Sequence, residues 1–256
     1  MGERPAIAKD ELAALRLGLD LGMTLIDTAE MYAEGRAESV VGEAVAGRRD
    51  EVFLVSKVLP SNASARGTIA ACERSLKRLK TDRIDLYLLH WRGSVPLADT
   101  VAAFERLKDE GKIRHWGVSN LDAAEMAEVV SLKGGGAVAT DQVLYNLTRR
   151  GIEHDLVPWC CQRRIPIMAY SPIEQGRMLG DGALADIARR HGATPARVAL
   201  AWLLAQDGVI VIPKATDPGH VRDNRAALDL TLSDEDRAAL ERAFPRPKGP
   251  RPLEMI

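Results

Sequence analysis

The sequence predicts an α/β fold, a (β/α)8 barrel formed as a single domain over residues 1–256. Short apolar runs rich in β-branched residues alternate along the chain with longer amphipathic stretches. The runs are continuous rather than alternating, as in strands covered on both faces, and strict β/α alternation argues for a parallel sheet with outer helices. No GxGxxG follows the first run, which weakens a doubly wound dinucleotide-binding sheet. Such a barrel closes with eight strands, and only seven are readable.

The strand-like runs are TLIDTA (24–29), EVFLVSK (51–57), IDLYLLH (84–90), IRHWGVSN (113–120), AVATDQV (137–143), IPIMAYS (165–171) and VIVIPK (209–214). Residues 1–10 offer no strand ahead of the helical KDELAALRLGLDLG (9–22). A first strand is therefore expected to be missing: either Met1 is an internal methionine of a longer protein or another segment fills the gap. RGTIAACERSLKRLK (66–80) places Ile69, Cys72 (or Glu73), Leu76 and Leu79 on one stripe. VPLADTVAAFERLKDEG (95–111) has Pro96 near its start and Gly111 at its end, the asymmetry of a helix. TPARVALAWLLAQDG (194–208) has a Thr cap followed by proline, and SDEDRAALERAF (233–244) opens with a variant capping box. DPGHVRDN (217–224) reads as a capped helix start, a plausible anion site and equally an ordinary flank helix. The tail from 245 to 256 is proline-rich without a packed pattern, so it either drapes over the barrel mouth or is flexible.

With 46% hydrophobic residues the chain can bury a sizeable core. Basic residues (35) nearly balance acidic ones (36), for a formal charge of -1, which argues against nucleic acid as the main ligand. Three cysteines without CxxC spacing give no disulfide framework or zinc ribbon and fit a reducing, cytoplasmic location. The longest apolar run, 198–205, is too short to span a membrane, and the start lacks the apolar core of a signal peptide.

The strands close on Asp27, Lys57, His90, Ser119 with Asn120, Gln142, Tyr170 with Ser171, and Lys214. In a barrel these carboxyl ends form the rim where catalytic groups sit. Taken singly, each has an ordinary explanation: a rim histidine, a solvated lysine, an aspartate cap. Their convergence on one rim favours a site. A lysine at a buried strand end keeps its charge only if paired, and Asp27 is the natural partner. The ammonium beside Tyr32 is expected to lower the phenol's pKa and make it a general acid, with His90 orienting the same substrate oxygen.

IDTAEMY, the lysine of LVSK, LLHW, GVSN, DQVLYN, AYSP and IPKA, in this order, resemble the aldo-keto reductase family, and within it bacterial diketogulonate-reductase-like members. The resemblance covers about residues 10 to 230. It implies NAD(P)H-dependent reduction of aldehydes and ketones by transfer of the pro-R hydride, with Asp27, Tyr32, Lys57 and His90 catalytic. It also implies that Ser119, Asn120 and Gln142 hold the nicotinamide carboxamide and that Tyr170 stacks on the ring. Ser171, Ile173 and the loop to Gly176 match the pyrophosphate site, Lys214 a phosphate contact, and Asp223 with Asn224 a pair near adenine. His220 stands where the family has an arginine; a neutral histidine is the weaker partner for a 2′-phosphate, so NADPH is expected with NADH as the alternative. Arg222 stands nearby as a substitute, and Asp141 replaces an asparagine common in relatives.

The expected partner is a small carbonyl compound, met by Met31 and Trp91, with Trp116 more suited to the core. No metal is expected. Specificity is expected in 92–95, 146–153 and the tail. Two other readings compete: a barrel that binds NAD(P)H without turnover, and a metal-dependent hydrolase using Asp27, His90 and Asp141. The second lacks HxH or HxxxH spacing and leaves Lys57 and Tyr32 unexplained.

Overall fold

A computed structural model describes the backbone of residues 1–256 and every side chain except that of Pro5. Its contacts cluster into two compact units, Met1–Thr140 with Thr216–Pro218, and Asp141–Ala215 with Gly219–Ile256.

In the first unit α1 (Ala8–Asp20) leads into β1 (Leu25–Asp27), α2 (Arg36–Ala44), β2 (Phe53–Val58) and α3 (Ala65–Leu79). Then come β3 (Ile84–Leu89), α4 (Leu97–Asp109), β4 (Ile113–Ser119), α5 (Ala123–Ser131) and the opening of β5 (Val138–Leu144). β1 to β4 pair in parallel and in chain order, with Asp27 opposite Val55, Lys57 opposite Leu88, and Leu88 opposite Gly117. All six residues of β3 are buried, which is why this strand reads as an unbroken apolar run. Gly117 admits the next strand closely: a Cβ there would stand 2.6 Å from the Thr140 carbonyl oxygen.

The second unit holds the rest of β5, α6 (Leu156–Gln162), β6 (Ile167–Tyr170), α7 (Gly182–His191), α8 (Pro195–Leu204) and β7 (Val209–Val211). All but the first residue of α9 (Pro218–Ala226), and α10 (Asp234–Ala243), complete it. Here too the strands are parallel, with Gln142 opposite Met168 and Met168 opposite Ile210. The α/β alternation and all seven expected strands are therefore present.

The expected helix signals hold in detail. Thr194 accepts from the Arg197 amide with Pro195 at the first helical position, and Ser233 with Asp236 forms a reciprocal capping box. Gly111, just past α4, takes φ 72°, which an L side chain resists. One expectation is corrected. The buried face of α3 is Thr68, Ala71, Cys72, Ser75 and Leu79, while Ile69 and Leu76 are only half-buried. The end of α3 lies close to α2: a Cβ on Gly42 would stand 2.7 Å from the Leu79 carbonyl oxygen, and apart from Leu79 the buried face is made of small residues. Trp116 is fully buried against Phe104, as expected of a core residue. The tail forms no helix or strand, yet Glu254 pairs with Arg149 at 2.7 Å and Arg246 bonds the Glu153 carbonyl. No helix among the described residues is long and apolar enough to cross a membrane.

Candidate active site

Three neighbouring strands of the first unit deliver Asp27, Lys57 and His90 at their ends, and the loop after β1 turns back to add Tyr32. Lys57 is fully buried, and its ammonium has three protons to place. Nζ donates to Asp27 Oδ2 (2.7 Å), to the Thr28 carbonyl oxygen (3.0 Å) and to Tyr32 Oη (3.3 Å). Burial pushes the Lys57 pKa down, but Asp27 and then Tyr32 outweigh it, so the group is held above its ordinary value and stays charged.

Tyr32 departs from the expected direction. Burial raises its pKa more than Lys57 lowers it, Asp27 raises it further, and the phenol ends above its ordinary value. Residue types alone named the charge partners but could not weigh the burial. The pair thus keeps both protons at neutral pH.

The His90 ring meets that of Tyr32 edge-on, with centroids 5.6 Å apart. Burial, and then the Lys57 charge, lower the His90 pKa to about 3, so the imidazole is neutral. Its Nδ1 is buried without a hydrogen-bond partner among the described residues. An unpaired buried N–H costs more than an unpaired lone pair, so the proton belongs on Nε2. Trp91 packs on His90 (4.9 Å between centroids), whereas Met31 is 43% exposed.

At the end of β4, Ser119 is buried and Asn120 takes φ 61°. Asn120 Nδ2 donates to the His90 carbonyl oxygen and to Ser119 Oγ, both at 3.1 Å, which fixes its amide beside the Tyr32–His90 cluster.

In the second unit Gln142 is buried on β5 and Tyr170 ends β6 half-buried. The loop that follows carries Ser171, Glu174 and Gln175 at φ 47°, 50° and 55°, and Gly176 at 88°. The amides of Glu174 and Gly176 close tight turns onto the Ser171 and Ile173 carbonyl oxygens. Ile173 in this loop is half-buried. Glu174, a residue the sequence did not single out, holds the loop by accepting from Asn146 (2.8 Å), Arg149 (2.9 Å) and Arg177 (2.7 Å). Burial alone would raise its pKa, but these bonds bring it down to about 2. Lys214 and His220 are exposed, Asn224 is half-buried, and Asp223 is engaged by Arg197 (2.5 Å) and Thr194. Among the described residues no group of three His, Cys, Asp or Glu is placed to hold a metal ion.

The aldo/keto reductase family model matches residues 2–244. The chain is 54% identical over 261 residues to the methylglyoxal reductase YeaE of Escherichia coli K12, covering 100% of this chain and 92% of that protein. It is similar to the crystal structure of an aldo/keto reductase from Klebsiella pneumoniae in complex with NADP and acetate, at 51% identity and a TM-score of 0.97, covering 100% of this chain and 92% of the other. It also resembles the structure of a putative 2,5-diketo-D-gluconic acid reductase B, at 33% identity and a TM-score of 0.86, covering 97% and 89%.

Proposed function

The chain belongs to the aldo/keto reductase family, an NADPH-dependent oxidoreductase family of (β/α)8 fold, and from that premise we propose that it reduces small 2-oxoaldehydes such as methylglyoxal, with Tyr32 as the proton donor. The observation that carries this reading is the buried, charged Lys57 held between Asp27 Oδ2 and Tyr32 Oη. A phenol kept protonated beside an ammonium can release its proton to a developing alkoxide and have the resulting phenolate stabilised at once.

The cofactor fits residues that are present. Asn120 and Ser119 offer oriented amide and hydroxyl groups, the kind a carboxamide needs. In this reading Ser119, Asn120 and Gln142 take the carboxamide and Tyr170 the ring face. Ser171 and Ile173 lie with the pyrophosphate, Lys214 and His220 with further phosphate, and Asp223 with Asn224 with the adenine end. NADPH, when bound, supplies the hydride that adds to the carbonyl carbon. The chain's own part is the proton: it passes from Tyr32 Oη to the carbonyl oxygen, Lys57 donates to the phenolate left behind, and Asp27 holds Lys57 charged. His90 stays neutral and donates from Nε2 to the same oxygen, orienting it without giving up its proton. Trp91 and Met31 offer apolar surface for a small substrate.

Methylglyoxal reduction followed by NADPH consumption, with NADH in parallel, tests the reading. Turnover with NADPH is expected. Saturable NADPH binding without turnover over a panel of aldehydes would instead favour a binding protein. The pH profile carries a second expectation. Because the Tyr32 and Lys57 values both lie above their ordinary ones, kcat should stay level through neutral pH and fall only above about 10. His90, lowered to about 3, should give no inflection near its ordinary value of about 6.5. An inflection there that disappears in His90→Gln would contradict the neutral-histidine role.

A further inference from the structure

Tyr32 opens a short 3-10 turn, Tyr32–Gly35, that follows the loop after β1. The two residues after it, Ala33 and Glu34, stand at φ 49° and 57°, the left-handed region that non-glycine residues avoid. Backbone bonds run from Thr28 N to the Val55 carbonyl and from Glu30 N to the Lys57 carbonyl, so the loop is laid along the exit of β2. The side chain of Glu30 adds a further tie; it is buried although it is a carboxylate on a loop. Its Oε1 accepts from the Leu59 amide (2.8 Å) and from Asn62 Nδ2 (2.9 Å), and its Oε2 lies 3.5 Å from Arg74 Nη2. Leu59 is two residues beyond Lys57. Glu30 therefore clasps, through backbone and side chain, the same strand exit that carries Lys57, while standing two residues from Tyr32. Its partners are two N–H donors and a guanidinium, a charge-assisted set that a neutral residue would satisfy less well.

We propose that Glu30 is a positioning residue for proton donation: by tying the Tyr32 loop to the Leu59 amide and Asn62 it sets the separation between Tyr32 Oη and Lys57 Nζ. It touches neither substrate nor cofactor and acts through Tyr32, so the proposal rests on Tyr32 being the acid. Displacing a reacting group by about 1 Å can cost on the order of 10²-fold in rate. Glu30→Ala should accordingly lower kcat for methylglyoxal by roughly 10- to 100-fold. The dissociation constant for NADPH, read by fluorescence titration, should change less than about twofold, since that cofactor's proposed contacts lie on other segments. Glu30→Gln keeps an oxygen for the Leu59 amide and should recover most of the rate. Asn62→Ala, which removes one donor and leaves the backbone intact, should lower kcat by a smaller factor; it carries the test if Glu30→Ala does not fold.

Tyr32→Phe provides the decisive background. If Glu30 works through the phenol, Glu30→Ala should cost less than about twofold once the hydroxyl is gone, because residues acting as a unit are non-additive. Equal losses in both backgrounds, or an unchanged kcat in both Glu30→Ala and Asn62→Ala, overturn the proposal. A Tyr32→Phe enzyme with full activity removes the acid itself and overturns it by that separate route.

Discussion

Replacing Tyr32 by phenylalanine is expected to lower kcat for carbonyl reduction by roughly 10²–10⁴-fold, the usual worth of a positioned general acid. The substitution deletes one oxygen. It takes away the third partner of the Lys57 ammonium, which keeps Asp27 Oδ2 at 2.7 Å and the Thr28 carbonyl at 3.0 Å. The fold should therefore survive and NADPH should bind as before, so the loss belongs in kcat and not in the cofactor's dissociation constant. A Tyr32→Phe enzyme that reduces methylglyoxal at the original rate would move the proton donor elsewhere.

Lys57→Met should cost stability as well as rate. Lys57 is fully buried, and methionine of similar length leaves the Asp27 carboxylate and the Thr28 carbonyl facing a side chain that donates nothing. Removing one partner of a buried ion pair costs up to about 3–5 kcal/mol, and the half-buried Asp27 side chain places the loss below that upper value. Urea unfolding should show the drop as a lower midpoint at unchanged slope. Adding Asp27→Asn to Lys57→Met removes the carboxylate charge that Lys57 had balanced and should restore part of the lost stability, yet not the rate. A midpoint shared by the original enzyme and Lys57→Met would mean that Asp27 is well solvated in the folded protein.

Much of this was legible in the residues. IDLYLLH announces a strand covered on both faces, and β3 is buried along its whole length. Lysine and aspartate at neighbouring strand ends announce an ion pair, which the side chains form. What stayed hidden depends on quantities with no local signature. The net direction of the Tyr32 pKa follows from how deeply the ring is covered. The inner face of α3 near its end is set by Gly42 meeting the Leu79 carbonyl, a backbone approach that no pattern within the helix reveals. Glu30 reads as one more loop acid because one of its partners, the Leu59 amide, is a backbone group that no side-chain pattern reveals. The tail's ion pair from Glu254 to Arg149 joins residues 105 apart, beyond the reach of any window along the chain.

The ties within the Asp27–Tyr32–Lys57 cluster span only 30 and 25 residues, and the strands involved follow one another directly. Contacts between successive βα units have low contact order, and such contacts form fast because little chain must be closed into a loop. On the ribosome, where a chain emerges from its amino end, the proton-donating cluster can therefore take shape while the residues after Thr140 are still being synthesised. The buried ammonium would find its carboxylate early, which spares the growing chain a long interval with an unpaired charge among apolar strands.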